Sequence, residues 1–309
     1  MNTMPRLQKL KLIAIVGPTA SGKSELGVAI ARSFNGEIIS ADSRQVYRGL
    51  NIGTGKITKQ EMRGVHHHLI NVADPRKRYS VVEFVASAER IVRDISGRDK
   101  IPIIVGGTGF WIDALVSGAP FPGVAPNAKL RTQLSKKSAG ELFRMLKKLD
   151  PRRARTIEAK NPHRLIRAIE IARAIGRVPP LKKANPRYDI LWLGVTRTPT
   201  ELNERIRARL TRHLKAGMIA EARKLRLGGL AWKRFDELGL EYRLLARHIK
   251  GELSRSKLIQ NLERAILDYA RRQMVWFRKN PAIHWIGSSK AARQLVKNFS
   301  RAPVSAEKN

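Results

Sequence analysis

The chain has 309 residues, contains no cysteine, and carries 61 lysines and arginines against 25 aspartates and glutamates, a formal net charge of +36. The lack of cysteine excludes disulfides and thiolate metal sites and favours a cytoplasmic protein, and the lack of an 18-residue apolar run argues against a membrane span. The excess of positive charge predicts a polyanionic partner, nucleic acid before a membrane surface, unless it is only a solvated basic surface.

A glycine-rich loop follows the first predicted strand. The apolar run 12–16 leads into G-P-T-A-S-G-K-S at residues 17–24, and apolar residues at helical spacing come next. This context is typical of a loop that binds polyphosphate through backbone N–H groups and a helix N-terminus. Lys23 adds a charge at the terminal phosphates, and the Ser24 hydroxyl is the predicted Mg²⁺ ligand. The predicted phosphate-binding residues are Gly17, Pro18, Thr19, Ala20, Ser21, Gly22, Lys23 and Ser24.

Asp42 follows the second predicted strand, residues 37–40. The carboxyl ends of strands in an open parallel sheet line the ligand crevice, so we expect Asp42 at the same edge as the glycine-rich loop. A carboxylate at that edge can act as a general base or hold Mg²⁺, and its alternative role is to cap the next turn.

A histidine run and a helix come next. His66–His68 precede a predicted strand at residues 69–72. Consecutive residues of an extended chain face opposite ways, so the three histidines cannot all bind one metal. A helix is predicted from Ser80 to about residue 96, with Glu83 completing a capping box.

The buried strand predicted at residues 101–105 ends in Gly-Gly-Thr-Gly. A P-loop nucleoside triphosphatase usually places a magnesium-binding aspartate at this point, and none is present here. The glycines permit close backbone approach, Thr108 brings a hydroxyl, and a helix is predicted from Trp111 to Ser117. The loop therefore indicates polyphosphate without indicating a nucleoside triphosphate.

The second half of the chain is largely helical. A basic helical segment follows a proline-rich stretch at 119–126 and closes with Pro179-Pro180 and Asn185-Pro186, after which strand character returns at 190–195. An edge strand is predicted at 282–286. We therefore predict an α/β fold, a P-loop NTPase-like parallel sheet core flanked by helices, with an inserted small all-helical domain. The predicted bounds are 10–118 and 188–287 for the core, 119–187 for the insert and 288–309 for a disordered tail.

Taken in order, these motifs resemble a known family over residues 12–285. They are G-P-T-A-S-G-K-S, A-D-S-R-Q-V-Y-R-G-L-N-I-G-T-G-K, H-H-L-I, I-P-I-I-V-G-G-T-G, R-L-I-R-A-I-E-I and R-I-R-A-R-L followed by G-M-I-A-E-A-R-K-L. The pattern is similar to the bacterial tRNA dimethylallyltransferases, also called tRNA isopentenylpyrophosphate transferases. Phe110-Trp111 departs from the aliphatic-tyrosine pair expected in many relatives, and Leu238-Gly239-Leu240 departs from Gly-Tyr.

The resemblance implies that the loop binds dimethylallyl diphosphate instead of ATP. The implied reaction transfers the dimethylallyl group to N6 of the adenosine directly 3′ of the anticodon (position 37) in tRNA, with Mg²⁺ as cofactor and a cytoplasmic, monomeric protein. By the family pattern Asp42 matches the general base, and Thr19 and Arg209 match catalytic residues that contact the diphosphate. The positions that match tRNA contacts are Asp42, Ser43, Arg44, Gln45, Thr108, His163, Arg164, Leu165, Ile166 and Arg167.

Two other classes of protein share part of this pattern. A P-loop nucleotide or small-molecule kinase has the loop and an aspartate after the second strand, but it has no need of a net charge of +36. A non-catalytic RNA-binding P-loop protein accounts for the charge but gives Asp42, Thr108 and Arg209 no task. Turnover of labelled ATP or labelled dimethylallyl diphosphate, with and without tRNA, separates the three.

Overall fold

A computed structural model describes residues 9–118, 121–180 and 187–303. Within these residues the strands form one parallel sheet in the order β3-β2-β4-β1-β5-β6. The strands are β1 (Leu10–Val16), β2 (Gly36–Ala41), β3 (His67–His68), β4 (Ile101–Gly106), β5 (Tyr188–Val195) and β6 (Ile283–Ile286). The central strand β1 is fully buried from Leu12 to Val16 because helices cover both faces of the sheet, as parallel sheets require.

The helices in chain order begin with the one that leaves the glycine-rich loop. They are α1 (Lys23–Ser33), α2 (Lys59–Met62), α3 (Val81–Gly97), α4 (Gly109–Ser117), α5 (Ala128–Leu134), α6 (Ala139–Leu149), α7 (Pro151–Thr156), α8 (Pro162–Ile175), α9 (Pro199–Lys215), α10 (Met218–Leu227), α11 (Trp232–Leu238), α12 (Leu240–Ile249), α13 (Arg255–Phe277) and α14 (Ser289–Arg301). The capping box predicted at Ser80 and Glu83 is confirmed at the start of α3. No helix in the described part of the chain is both long and apolar enough to cross a membrane.

The chain divides into two compact units, residues 1–117 with 185–309, and residues 118–184. The second unit has its own small apolar core, in which Leu142, Leu146, Leu165 and Ile169 are fully buried. The proline joints at 119–120 and 185–186 lie outside the described residues. The prediction that residues 119–187 act as a separate domain stays a prediction.

Two predictions for the sheet unit were wrong. Strand β3 is His67–His68 instead of residues 69–72, because Leu69 and Asn71 have positive φ angles that turn the chain out of the extended conformation. Residues 289–301 of the predicted disordered tail form helix α14, since apolar residues recur at helical spacing. Ala292 and Val296 are buried in one of the two cores that flank the sheet.

A buried carboxylate, Glu37, links β2 to β3 and to the segment that precedes β4. It lies on β2 and accepts hydrogen bonds from Arg98 (2.6 and 2.8 Å), Lys100 (2.8 Å) and His68 Nε2 on β3 (2.8 Å). Ligand atoms of Glu37, His66 and His68 lie within 4.8 Å of one another, but the carboxylate is already shared by two cations. The geometry therefore favours an ion-pair network over a metal site.

We predict that Glu37→Gln lowers the free energy of unfolding at pH 7. The Arg98 and Lys100 hydrogen bonds hold the pKa of Glu37 well below its usual value despite burial. A depressed pKa gives stability above the unfolded value, about 4, that is lost as the pH falls further. Urea unfolding should show a difference between variant and wild type that shrinks below pH 4. The exposed Glu204→Gln is the control, and a Glu37→Gln difference independent of pH would contradict the account.

Candidate active site

The phosphate loop between β1 and α1 has the backbone that its sequence predicts. Gly17 and Gly22 have φ angles of +151° and +99°. A Cβ on Gly17 would lie 2.3 Å from the carbonyl oxygen of Val195 on β5, so only glycine fits there. Ser21 is fully buried, and its hydroxyl has no hydrogen-bond partner among the described residues. The loop is therefore held tightly against the sheet while keeping a free polar group inside it.

Lys23 lies in a dry, electropositive position at the start of α1. Its Nζ donates to the Pro18 carbonyl at 3.1 Å. Burial and the nearby Arg209 guanidinium lower the pKa of Lys23 to about 8, against an opposing effect of Asp42. The ammonium group is still mostly protonated at neutral pH, so it presents a poorly hydrated positive charge to any anion in the loop.

Three arginines from the second half of the chain donate hydrogen bonds to the same loop. Arg209 on α9 donates to Thr19 Oγ1 at 3.0 Å and to the Thr54 carbonyl at 3.1 Å. Arg205, one turn earlier, donates to the Ala20 carbonyl at 2.8 Å, and Arg197 to the Ser21 carbonyl at 3.2 Å. None of the three arginines forms an ion pair with a carboxylate of the described residues. The loop is therefore contacted by cations that carbonyl and hydroxyl oxygens hold in place and that form no direct ion pair.

Asp42 lies immediately after β2, and its two oxygens have different surroundings. Oδ1 accepts the backbone N–H of Arg44 at 2.9 Å and of Gln45 at 3.3 Å, so the capping role considered from the sequence is real. Oδ2 has no hydrogen-bond partner among the described residues. The Asp42 charge acts on the pKa values of both Lys23 and Arg209, which places it close to the phosphate loop. One carboxylate oxygen is thus fixed and the other is available.

Thr108 connects the ends of β2 and β4. Its backbone N–H donates to the Ala41 carbonyl at 3.2 Å, and its Oγ1 accepts the Ser43 N–H at 3.2 Å. Gln45 Nε2 reaches toward the carbonyls of Thr54 and Gly55, at 3.5 and 3.4 Å. Asp42, Ser43 and Thr108 are therefore brought together as expected for strands that end at one sheet edge.

Gln273 on α13 is a site residue that the sequence analysis missed. Its Oε1 accepts the N–H of Thr19 at 2.8 Å, and its Nε2 donates to the Gly107 carbonyl at 2.9 Å. The side chain is buried, so a single amide fixes the phosphate loop relative to the end of β4. The sequence contains one sign of this role. Gln273 is a polar residue on the buried side of α13, where an amide without hydrogen-bond partners would be costly.

Glu221 on α10 was also missed, and it shapes the loop that receives Arg209. Its carboxylate accepts the N–H groups of Asn51, Ile52 and Gly53 at 2.9, 2.7 and 3.0 Å and the Tyr242 hydroxyl at 2.7 Å. The next residue of that loop, Thr54, supplies the carbonyl to which Arg209 donates. The three backbone contacts each span about 170 residues of sequence, which no local pattern reveals.

A small, mainly apolar pocket adjoins the phosphate loop. Burial raises the pKa of Glu241 in this pocket to about 7, and burial with nearby arginines lowers that of His213 to about 4. Both side chains are therefore largely uncharged or readily neutralised beside the loop. The lining residues are Thr19, Ala20, Gly53, Ile206, Arg209, Leu210, His213, Met218, Glu241 and Ile266.

The predicted tRNA contacts in α8 fall into two groups. His163 and Arg164 are exposed, and Arg164 pairs only with the exposed Glu158 at 3.0 Å. Leu165 is fully buried in the core of its unit, so its side chain is unavailable to RNA. Arg167 bonds the buried Glu170 and the Val124 carbonyl, which assigns it to internal packing, and Ile166 packs partly against the same core. Only the first group is placed to contact a polyanion.

Comparison with known proteins identifies the family. The protein-family model described as IPP transferase matches residues 45–280, and the family model described as isopentenyl transferase matches residues 10–78. tRNA dimethylallyltransferase 1 of Geotalea daltonii is 43% identical over 279 residues, which are 89% of this chain and 90% of that protein.

Solved structures show the same likeness. The full-length tRNA isopentenylpyrophosphate transferase of Bacillus halodurans is 33% identical with a TM-score of 0.71, covering 94% of this chain and 96% of that one. A eukaryotic dimethylallyltransferase acting on tRNA is 25% identical with a TM-score of 0.82, covering 96% and 81%.

The parallel sheet and its phosphate loop define a P-loop α/β protein, which confirms the predicted fold class. The chain belongs to the IPP transferase family, the family of the tRNA dimethylallyltransferases, as its motifs indicated. The roles of individual residues stay predictions.

We predict that Arg209→Ala raises the Michaelis constant for the diphosphate substrate by about 10- to 100-fold. The change removes charged hydrogen bonds, each worth about 1.5–3 kcal/mol, while tRNA affinity stays nearly intact. Arg207→Ala on the same helix removes an equal charge from a surface pair with Glu263 and serves as the control. If Arg209→Ala instead weakened tRNA binding and left the kinetics with the diphosphate unchanged, Arg209 would be a cation that binds RNA and not the diphosphate.

We predict that Arg164→Ala and Arg167→Ala have different effects. Arg167→Ala should lower the free energy of unfolding by about 1–3 kcal/mol, because it deprives the buried Glu170 of a partner, and should leave the salt dependence of tRNA binding unchanged. Arg164→Ala should cost under about 1 kcal/mol and should reduce the salt slope by about one unit, because we expect its exposed guanidinium to bind a phosphate. Thermal melts and tRNA titrations over a salt series check both. A reduced salt slope in Arg167→Ala without loss of stability would contradict the assignment.

Proposed function

We propose that this chain transfers the dimethylallyl group of dimethylallyl diphosphate to N6 of the adenosine directly 3′ of the anticodon in tRNA, releasing diphosphate. The observation that carries the proposal is the pairing of two features at one sheet edge. Cations that form no ion pair with a carboxylate of the described residues surround the phosphate loop, and Asp42, a carboxylate with one available oxygen, lies near them. The first suits a leaving diphosphate and the second suits an amine that must lose a proton.

The cations assist departure of the leaving group. Carbon 1 of an allylic diphosphate becomes electrophilic as its bond to oxygen breaks and positive charge spreads over the allyl system. Lys23, Arg209 and the loop N–H groups stabilise the charge that builds up on the departing diphosphate. Because these groups are already held by hydrogen bonds to the loop, little reorganisation is needed when that charge appears.

The acceptor amine needs positioning and a base. As the bond from N6 to carbon 1 forms, N6 must lose one proton, and Asp42 Oδ2 is the proposed acceptor. N6 is shielded while the adenine is stacked, so the base must leave its stack and enter the site. Thr108 and Ser43 hold the turn that carries Asp42, and thereby fix the direction of its free oxygen.

Apolar side chains lie beside Thr19, and we propose that they contact the hydrocarbon part of the donor. Ile206, Leu210, Met218 and Ile266 provide apolar surface next to the residues that bind phosphate. A kinase needs space for a nucleoside there and a carboxylate at the end of β4 to hold its metal. The chain has Gly107 and Thr108 at that position, which supports a diphosphate donor over ATP.

Mg²⁺ is the proposed cofactor, and Ser24 is its proposed protein ligand. The Ser24 side chain is exposed at the start of α1 beside the anion site. Mg²⁺ commonly binds through few protein oxygens together with substrate phosphates and water, which fits a single hydroxyl here. When bound, the ion would neutralise part of the diphosphate charge.

The strongly basic chain suits tRNA as the second substrate. Helices carrying arginine and lysine contact mainly phosphates and so position the RNA without reading its sequence. We propose that the insert binds the anticodon stem-loop through exposed cations such as Arg164. We also propose that the working unit is a monomer in the cytoplasm.

The direct test is a transfer assay. The purified protein is incubated with labelled dimethylallyl diphosphate or labelled ATP, each with and without tRNA, and the tRNA nucleosides are then analysed. We expect label in the adenosine beside the anticodon only with the allylic donor and tRNA together. Phosphate transfer from ATP without tRNA would instead identify a kinase, and RNA binding without any transfer would identify a non-catalytic protein.

We predict that Asp42→Asn folds and still binds both substrates but loses about 10²- to 10⁴-fold in transfer rate, as expected for loss of a positioned base. Asparagine keeps an oxygen for the Arg44 and Gln45 N–H groups, so the turn is preserved. Single-turnover rates with bound tRNA and donor measure the loss. Near-normal turnover would remove Asp42 from the role of base.

A further inference from the structure

An exposed aromatic ring lies at the start of α4, the helix that follows β4. Phe110, the second residue of α4, is 52% exposed, although a phenylalanine is normally buried. Its ring meets the ring of Trp276 on α13 edge to face, with centroids 6.5 Å apart and planes at 80°. Trp276 packs against one side of Phe110, while much of the remaining ring surface is open to solvent.

Trp276 is itself fixed in place. Its Nε1 donates to Asp113 Oδ2 at 2.8 Å. It also lies tightly over Gly109, where a Cβ would come within 2.3 Å of the indole ring. Phe110 is therefore supported by a partner that cannot easily move away, which makes its open face a preorganised surface.

The two residues of this surface are close in sequence to residues of the proposed acceptor site. Phe110 follows Thr108 by two residues, and Thr108 holds the turn that carries Asp42. Trp276 follows Gln273 by three residues, so the two share one side of α13, and Gln273 bonds both Gly107 and the phosphate loop. Phe110 and Trp276 therefore each lie within three residues of a side chain that builds the site.

The surroundings indicate the chemistry of an occupant. Arg271, Arg272, Arg278 and Lys279 are exposed on and just after the same stretch of α13. A polyanion is attracted by these charges, while a flat apolar face suits the π-surface of an unpaired nucleobase. RNA combines both properties in one molecule, since phosphates and bases alternate along a strand.

We propose that Phe110, supported by Trp276, stacks on the base next to the target adenosine in the anticodon loop. The inference rests on the proposed function. When the adenine leaves its stack, a neighbouring base loses a partner, and the phenyl ring replaces that contact. Phe110 is thus a substrate-binding residue that stabilises the extruded conformation of the RNA.

The first experiment compares aromatic with aliphatic side chains at position 110. Binding of an anticodon stem-loop RNA is measured for wild type, Phe110→Ala, Phe110→Leu and Phe110→Tyr. Loss of stacking should raise Kd by about 5- to 100-fold in the alanine and leucine variants, while tyrosine retains near wild-type affinity. The Michaelis constant for dimethylallyl diphosphate and the melting temperature should not change. Leu227→Ala, which removes a side chain that is 89% exposed, is the control.

The second experiment tests whether the Phe110 ring contacts one particular base of the RNA. Stem-loops with an abasic site on the 5′ or the 3′ side of the target adenosine are titrated against wild type and Phe110→Ala. We expect one of the two abasic RNAs to bind equally weakly to both proteins, because the contact has already been lost.

The outcomes are distinct. Wild-type affinity in Phe110→Leu, or losses that simply add for both abasic RNAs, would overturn the stacking proposal while leaving the transfer activity intact. A wild-type protein that neither binds nor modifies the stem-loop would overturn the proposed function and this inference together. A rise in Kd accompanied by a lower melting temperature in Phe110→Leu would show a packing role instead.

Discussion

The structure depends on positive charges that are held close together without direct ion pairs. Lys23, Arg197, Arg205 and Arg209 approach one loop, and each is anchored by carbonyl or hydroxyl oxygens instead of carboxylates. Burial, and repulsion from the nearby Arg209 guanidinium, lower the pKa of Lys23 to about 8, so holding these charges together opposes folding. An anion that binds relieves the same repulsion. The cations therefore lower the stability of the free protein and raise the affinity of the site for anions.

The nearby carboxylates are arranged so that they form no direct ion pair with these cations. Asp42 Oδ1 is occupied by its own turn, and Glu221 is saturated by three backbone N–H groups and a hydroxyl. Burial raises the pKa of Glu241 to about 7, which reduces its charge at neutral pH. The anion site and the base at Asp42 can therefore coexist at one sheet edge without cancelling each other.

The sequence predicts those parts that are local. The apolar runs before Gly17, Asp42 and Gly106 predict strands β1, β2 and β4, and parallel strands end at a common edge, so the convergence of the loop, Asp42 and Thr108 follows. Gln273 and Glu221 could not be predicted, because the backbone groups that they bind are more than 160 residues distant in sequence. Arg167 was assigned to RNA because a helical arginine looks the same from the sequence whether it faces solvent or a buried carboxylate. Helix α14 was missed because its apolar residues are few among many polar ones.

The most direct test of this account is the effect of inorganic pyrophosphate on the melting temperature of the free protein. A ligand that binds only the folded state stabilises it by RT ln(1 + [L]/Kd), so pyrophosphate should raise the melting temperature in a concentration-dependent way. The rise should be smaller in Lys23→Ala, in which one of the loop cations is lost. An unchanged melting temperature at millimolar pyrophosphate, or an equal rise in wild type and Lys23→Ala, would contradict the claim that the unpaired cations form a diphosphate site.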